Sequence, residues 1–211
     1  MARRRENNMA ARQIRFTGAG GQGALLAGLA LALAALESGY YATFKGTYSS
    51  QVIGGPTLGE VLIDPAKKIT YPCTIRGEVE FTLSTANNSF QLYKDGMKNG
   101  ALAVIDSNLV RPTADDRKIL RFIEIPIIQI ATDEVGVLKT QSAIALAISV
   151  KIIGLLMKLK IDEDVALQSL LSQLTKVSPK VREANKRAFA LGLKYAEDAY
   201  IKLLNEEAQK K

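Results

Sequence analysis

The sequence predicts a single α/β domain: a three-layer, Rossmann-like fold with a mostly parallel or mixed sheet and a helical C-terminal part. Three observations carry this prediction. A short β-prone segment runs into the glycine string GAGGQG and then into an uncharged Ala/Leu stretch, which is the strand–loop–helix opening of a βαβ unit. Strand-like and helix-like segments follow one another up to about residue 138, and the pattern beyond is helical. The 211 residues are enough for one sizeable core and too few for two.

The elements follow in order. Residues 12–17 form a short strand with Ile14 and Phe16 on one face. Glycines at 18–23 break it, and residues 24–38 form a helix closed by Gly39 as its C-terminal cap. Residues 40–48 are β-prone, Gly54, Gly55 and Pro56 mark a turn, and residues 57–63 read as a strand ending at Asp64-Pro65. Residues 79–83 give the next strand, and residues 87–98 a short helix ended by Asn99-Gly100. Residues 101–105 are wholly apolar, as suits a strand covered on both faces. Residues 123–130 read as an edge strand, where Pro126 is tolerated. A long apolar helix from Lys139 to about residue 160, a shorter one over about 162–175, and a last amphipathic one opened by Ser178-Pro179 complete the chain near Leu204. Residues 1–11 read as a disordered basic leader, 12–205 as the domain and 206–211 as a flexible tail.

Composition narrows the chemistry. Hydrophobic residues make up 47% and charged residues 23%, the balance of a soluble globular protein. With no His and only Cys73, the chain by itself excludes His-based triads, His–metal sites, internal disulfides and a cysteine-ligated iron–sulfur cluster. Cys73 in a Tyr-Pro-Cys-Thr turn reads as a small buried apolar residue, and Asp106 as the carboxylate capping the turn after its strand. The net charge of +7 draws much of its excess from Arg3, Arg4, Arg5, Arg12 and Arg15, and aromatics reach only 6%, so no nucleic-acid partner is expected. Arg182, Lys186 and Arg187 read as a solvated helix face. The apolar stretch over residues 24–36 is too short to span a bilayer, and residues 143–157, interrupted by Lys151, read as a buried helix. With no membrane span and no signal-peptide pattern, the expected location is cytoplasmic.

Gly18-x-Gly20-x-x-Gly23 fits a dinucleotide fingerprint between a strand and a helix, where backbone N–H groups and the helix N-terminus favour a phosphate. A nicotinamide cofactor's ribose calls for an acidic residue about twenty positions on. None lies between Glu37 and Glu60. A free-standing Rossmann-like nucleotide-binding protein is therefore the alternative rather than the main reading.

The wording of the loop says more than its spacing. Gly20-Gly21-Gln22-Gly23 with the Ala/Leu helix behind it resembles the opening of the gamma subunits of 2-oxoacid:ferredoxin oxidoreductases. Thr47-Tyr48 followed by Gly54-Gly55, the strand Glu60-Val61-Leu62-Ile63, Ile69-Thr70-Tyr71-Pro72, the segment GALAVIDS at 100–107, Ile125-Pro126, and Asn185-x-x-Ala188-x-x-x-Gly192 match in order. The match departs at Ile53, where the family usually has Arg, and at Gln141-Ser142, where Asn is usual. These departures suggest a divergent branch, with aryl 2-oxoacids such as indolepyruvate or phenylglyoxylate among the candidate substrates.

The resemblance implies a division of labour. Alpha and beta subunits would hold thiamine diphosphate and Mg²⁺. Electrons would leave through [4Fe-4S] clusters, with a ferredoxin-like delta subunit, to ferredoxin or to NAD through another subunit. The acyl group would usually pass to coenzyme A. This chain would hold none of these centres and would carry no catalytic or metal-binding residue. Its shared cofactor-facing surface is expected at Gly20, Gly21, Gln22 and Gly23, with Thr47, Tyr48, Ser49, Gly54 and Gly55 as a second loop beside them. Tyr48 is expected to hydrogen-bond in a subunit interface.

Overall fold

The computed structural model describes residues 11–49 and 54–209. Residues 1–10 of the basic leader, Ile53 and the two terminal lysines lie outside the described residues, while Ala11 is described and buried. Six strands form one mixed sheet in the order β2-β3-β1-β4-β5-β6. They are β1 (Arg12–Ala19), β2 (Tyr41–Tyr48), β3 (Pro56–Asp64), β4 (Val79–Ser84), β5 (Met97–Asp106) and β6 (Arg121–Ile125). β1, β4, β5 and β6 pair in parallel, while β3 lies antiparallel between β1 and β2. This arrangement puts the C-terminal ends of β1, β2 and β4 on the same edge as the start of β3. The glycine loop and the 48–55 loop therefore emerge together.

Alternation along the strands sorts the two faces. Ile14, Phe16, Val61, Ile63, Phe81, Leu83, Leu102, Val104, Ile123 and Ile125 point into the main core. That core is closed by α1 (Ala24–Glu37), α5 (Gln141–Met157), α6 (Glu163–Gln173) and α7 (Pro179–Gln209). The opposite face is thinner. It has α2 (Asn87–Tyr93) and a small cluster that includes Val79, Phe90, Ala103 and Ile105. β5 is thus covered on both sides, as its unbroken apolar run requires. The helix from Leu138 to Met157 is long and apolar enough to cross a membrane by length and composition, yet most of it is buried in this core.

Beneath β1 and β3 the opposite face carries a polar network beside the buried Leu58 and Leu62. Cross-strand partners Arg15 and Glu60 form a buried ion pair at 3.6 Å. Arg15 Nε donates to the Thr74 hydroxyl at 2.9 Å, Thr74 donates its backbone N–H to Glu60 at 3.1 Å, and the Thr74 hydroxyl also bonds Glu60. Ile75 N–H donates to Gln13 Oε1 at 2.6 Å. These bonds tie the 65–78 segment across the sheet and satisfy charges that would be costly if buried alone.

Three expected element bounds move. The helix after β4 ends at Tyr93, because β5 begins at Met97 and pairs with Val79. The edge strand β6 stops at Ile125, and Pro126 opens a helical stretch, α4 (Ile127–Gln129) continued by a π-turn over Ile130–Glu134. Asp106 Oδ2 accepts from Ile128 N–H at 2.9 Å, which favours the turn over a strand. α7 runs to Gln209, so residues 206–209 are helical. Arg121 clamps Glu207 through bonds of 2.6 and 3.1 Å.

Candidate functional site

Gly20, Gly21, Gln22 and Gly23 turn the chain from β1 into α1. Gly21 and Gly23 hold φ of +92° and +74°, a left-handed conformation open to glycine. α1 starts after Gly23 with no side chain capping its first turn, which leaves those N–H groups without a side-chain acceptor, as an anion-binding helix start requires. Gly20 donates to Gly55 O at 2.8 Å, and Gly54 N–H returns to Gly20 O at 3.4 Å. The two loops expected to lie side by side are therefore hydrogen-bonded to each other. A cavity of about 330 Å³ opens there, lined by Gly20, Gly21, Gly23, Leu25, Tyr48 and Thr57 among others.

The expected site residues divide by role. Gly20, Gly21, Gly23 and Tyr48 line the cavity. Gly54 and Gly55 hold the loop from the side. Thr47 and Ser49 flank Tyr48 at the end of β2 and do not line the cavity. Tyr48 ends β2 opposite Thr57 and is 73% exposed. Gln22 turns away from the cavity: its Oε1 accepts from Ala19 N–H and from the Thr85 hydroxyl, both at 2.8 Å.

Sequence reasoning missed the residues behind the loop. Gly18 O accepts from the Thr57 hydroxyl at 2.9 Å and from the Ser89 hydroxyl at 2.7 Å. A hydroxyl residue at the start of β3 and another in the first turn of α2 were the only signals available, and both are common.

Other candidates resolve plainly. Asp106 is fully buried and its Oδ1 accepts from Asn108 and Leu109 N–H groups at 2.9 and 3.1 Å, a turn cap as expected. Cys73 is not a buried apolar residue. It is partly exposed, and Lys45 Nζ donates to its sulfur at 3.1 Å. That bond, followed by the electrostatic pull of Cys73 and then of Glu60, raises the Lys45 pKa against the opposing effect of burial. Arg182 and Arg187 reach the carbonyls of Leu174 and Glu134, and Lys186 pairs with Glu183. Among the described residues, no three His, Cys, Asp or Glu side chains gather to hold a metal ion.

A profile of the family described as pyruvate ferredoxin/flavodoxin oxidoreductase matches residues 13–195. Among curated proteins, the chain is similar to the 2-oxoglutarate synthase subunit KorC of Methanocaldococcus jannaschii, 26% identical over 188 residues that cover 89% of this chain and 95% of the relative. It is also similar to the protein of the same name from Methanothermobacter marburgensis, 30% identical over 132 residues, which cover 60% and 69%. Among solved structures it superposes on a keto/oxoacid ferredoxin oxidoreductase gamma subunit from Geobacter sulfurreducens, with TM-score 0.70 and 27% identity over 90% of this chain and 98% of that one. It also superposes on part of a 2-oxoglutarate:ferredoxin oxidoreductase from Magnetococcus marinus with 2-oxoglutarate, coenzyme A and succinyl-CoA bound. There the TM-score is 0.74, at 18% identity, over 90% of this chain but 32% of that one, a likeness of fold alone.

Proposed function

The chain belongs to the pyruvate ferredoxin/flavodoxin oxidoreductase family, as a gamma subunit of the 2-oxoacid type, and we propose that it serves a thiamine-diphosphate-dependent complex that oxidatively decarboxylates 2-oxoglutarate to an acyl-CoA. The curated relatives are all named for 2-oxoglutarate, which favours that acid over the aryl 2-oxoacids suggested by the altered loop. Alpha, beta and delta subunits are the partners this reading requires, in the cytoplasm.

The residues present do not fit the redox centres. One cysteine and no histidine leave no ligand set for an iron–sulfur cluster held by this chain alone, and among the described residues no three His, Cys, Asp or Glu side chains gather. Those groups belong to the partners in this proposal. Thiamine diphosphate there supplies the electron sink for loss of carbon dioxide, and the clusters carry the electrons away.

The glycine loop does fit a phosphate-bearing ligand, and this observation carries the proposal. Uncapped N–H groups at the start of α1, glycines at positive φ and a cavity of about 330 Å³ converge at one sheet edge. The chain's own work is to bind and orient the phosphate end of coenzyme A and, through the exposed Tyr48, to meet a partner subunit.

The deciding experiment is to tag the chain in its host, purify it without oxygen, and follow dye reduction with 2-oxoglutarate, pyruvate and indolepyruvate. Recovery with the thiamine and iron–sulfur subunits and coenzyme A-dependent turnover of 2-oxoglutarate are expected. A chain that comes out alone and binds NAD would overturn the proposal in favour of a self-contained nucleotide-binding protein.

A further inference from the structure

The glycine loop has one side chain able to brace it, Gln22, and that side chain is itself held from behind. An N–H can only donate, so the carboxamide oxygen of Gln22, and not its nitrogen, faces Ala19. The Thr85 hydroxyl adds a second donor to the same oxygen, at 2.8 Å. Thr85 is fixed in turn by its backbone N–H, which donates to Thr17 O at 3.0 Å. A Cβ on Gly18 would stand 2.6 Å from the Thr85 hydroxyl oxygen, so glycine at 18 opens the gap through which that hydroxyl reaches Gln22. Gly18 O is meanwhile clamped by the Thr57 and Ser89 hydroxyls at 2.9 and 2.7 Å. The strand end is thereby pinned at Gly18, just ahead of residues 19–23.

We infer that Thr85, at the end of β4, is the positioning residue of the glycine loop: acting through Gln22, it holds the loop's N–H groups in the array that meets a phosphate. The inference rests on the reading of the loop as a phosphate-facing site. It gives the first glycine of the GxGxxG string a task different from close approach to a ligand. It also explains why Gln stands at 22. A side chain of that length carries an oxygen back to Ala19 and Thr85 and leaves both of its amide hydrogens without a partner among the described residues. No extra negative charge is brought beside the bound anion.

Three variants of the full chain separate positioning from ligand reading. Thr85→Val keeps the shape and removes the donor. Thr85→Ser restores the donor. Gln22→Glu keeps an oxygen for both donors and adds a negative charge. Amide exchange is followed at residues 19–24, with β5 as the internal reference, and coenzyme A dependence is measured in the assembled complex. Loss of one net hydrogen bond is worth about five-fold in a local opening equilibrium, so Thr85→Val is expected to speed exchange at 19–24 about five-fold with β5 unchanged, and Thr85→Ser to restore it. The KM for coenzyme A should rise in Thr85→Val with kcat little changed. Gln22→Glu should keep normal loop exchange and weaken coenzyme A by about ten-fold through charge repulsion. If Thr85→Val leaves loop exchange at the wild-type rate, the positioning role is wrong. If loop exchange responds as expected while neither Thr85→Val nor Gln22→Glu alters coenzyme A dependence, the brace stands and the phosphate reading of the loop falls.

Discussion

Gly21 and Gly23 both sit at positive φ, but a side chain would meet different surroundings at the two positions. Nothing lies within 4 Å of a Cβ built on Gly21, whereas one on Gly23 would stand 2.9 Å from Ser142 Cβ at the start of α5. Gly21→Ala therefore adds only backbone strain, about 1–2 kcal/mol, while Gly23→Ala adds overpacking against α5 and should cost about 2–5 kcal/mol. Urea unfolding of the two variants checks the ranking, and equal costs would mean that Ser142 moves aside freely. The need for these glycines was legible in the sequence, since the loop between a strand and a helix calls for left-handed backbone. The direction of Gln22 was not. It depends on Thr85, 63 positions away, and the register that brings β4 alongside β1 is invisible to local spacing. Tyr48 is a simpler case. At 73% exposure, its replacement by Ala should change stability by less than about 0.5 kcal/mol and weaken recovery of partner subunits in the affinity purification.

Elements with a strong period or a clear punctuation mark were readable, and those decided by one distant bond were not. The Ala/Leu run of α1 and the Ser-Pro start of α7 fall where their residues imply. The β-branched run after Pro126 reads as a strand, yet the buried Asp106 carboxylate captures Ile128 N–H and the chain coils instead. A comparable local lock ties α3 (Asp116–Ile119) to Lys94, just past the end of α2. Lys94 Nζ lies 2.8 Å from Asp116 Oδ1, and Thr113 N–H donates to Oδ2 at 2.8 Å. Burial pushes the Asp116 pKa up, but the hydrogen bonds from Lys94 and Thr113 and the Lys94 charge outweigh it, and the net shift is downward. A carboxyl held lower in the folded chain than in the unfolded one adds stability above its unfolded pKa of about 4, and loses it as pH falls through the folded value. Asp116→Asn should thus cost about 1–2 kcal/mol at neutral pH, with the gap from wild type narrowing below about pH 4. Denaturant midpoints at pH 7 and pH 3 test this. A gap that stays constant would assign the effect to packing rather than to charge.

At the scale of the whole molecule, one buried helix connects the glycine-loop edge to the rest of the core. α5 meets the glycine loop where Ser142 lies under Gly23, and it meets α7 one turn later, where Gly192 lies over Ile144 and Ala147. Lys151 then ties α5 to α6 and α7 through Glu163 at 3.7 Å and Glu197 at 3.3 Å. The close approach at Gly192 leaves no slack. A Cβ there would stand 2.8 Å from both Ala147 Cβ and the Ile144 carbonyl oxygen, and neither atom is the free end of a flexible side chain. Gly192→Ala must therefore separate α7 from α5 or push α5 toward the loop. Separation alone would cost about 1–3 kcal/mol in unfolding free energy and speed amide exchange in α7. Because Ser142 and Ile144 are two residues apart on a close-packed helix, part of the displacement should be passed on to Gly23. The expected result is faster exchange at residues 19–24 as well as in α7, together with a higher KM for coenzyme A in the assembled complex. Exchange faster in α7 alone, with the loop as in wild type, would show that the helical layer and the glycine loop are energetically independent despite their shared helix.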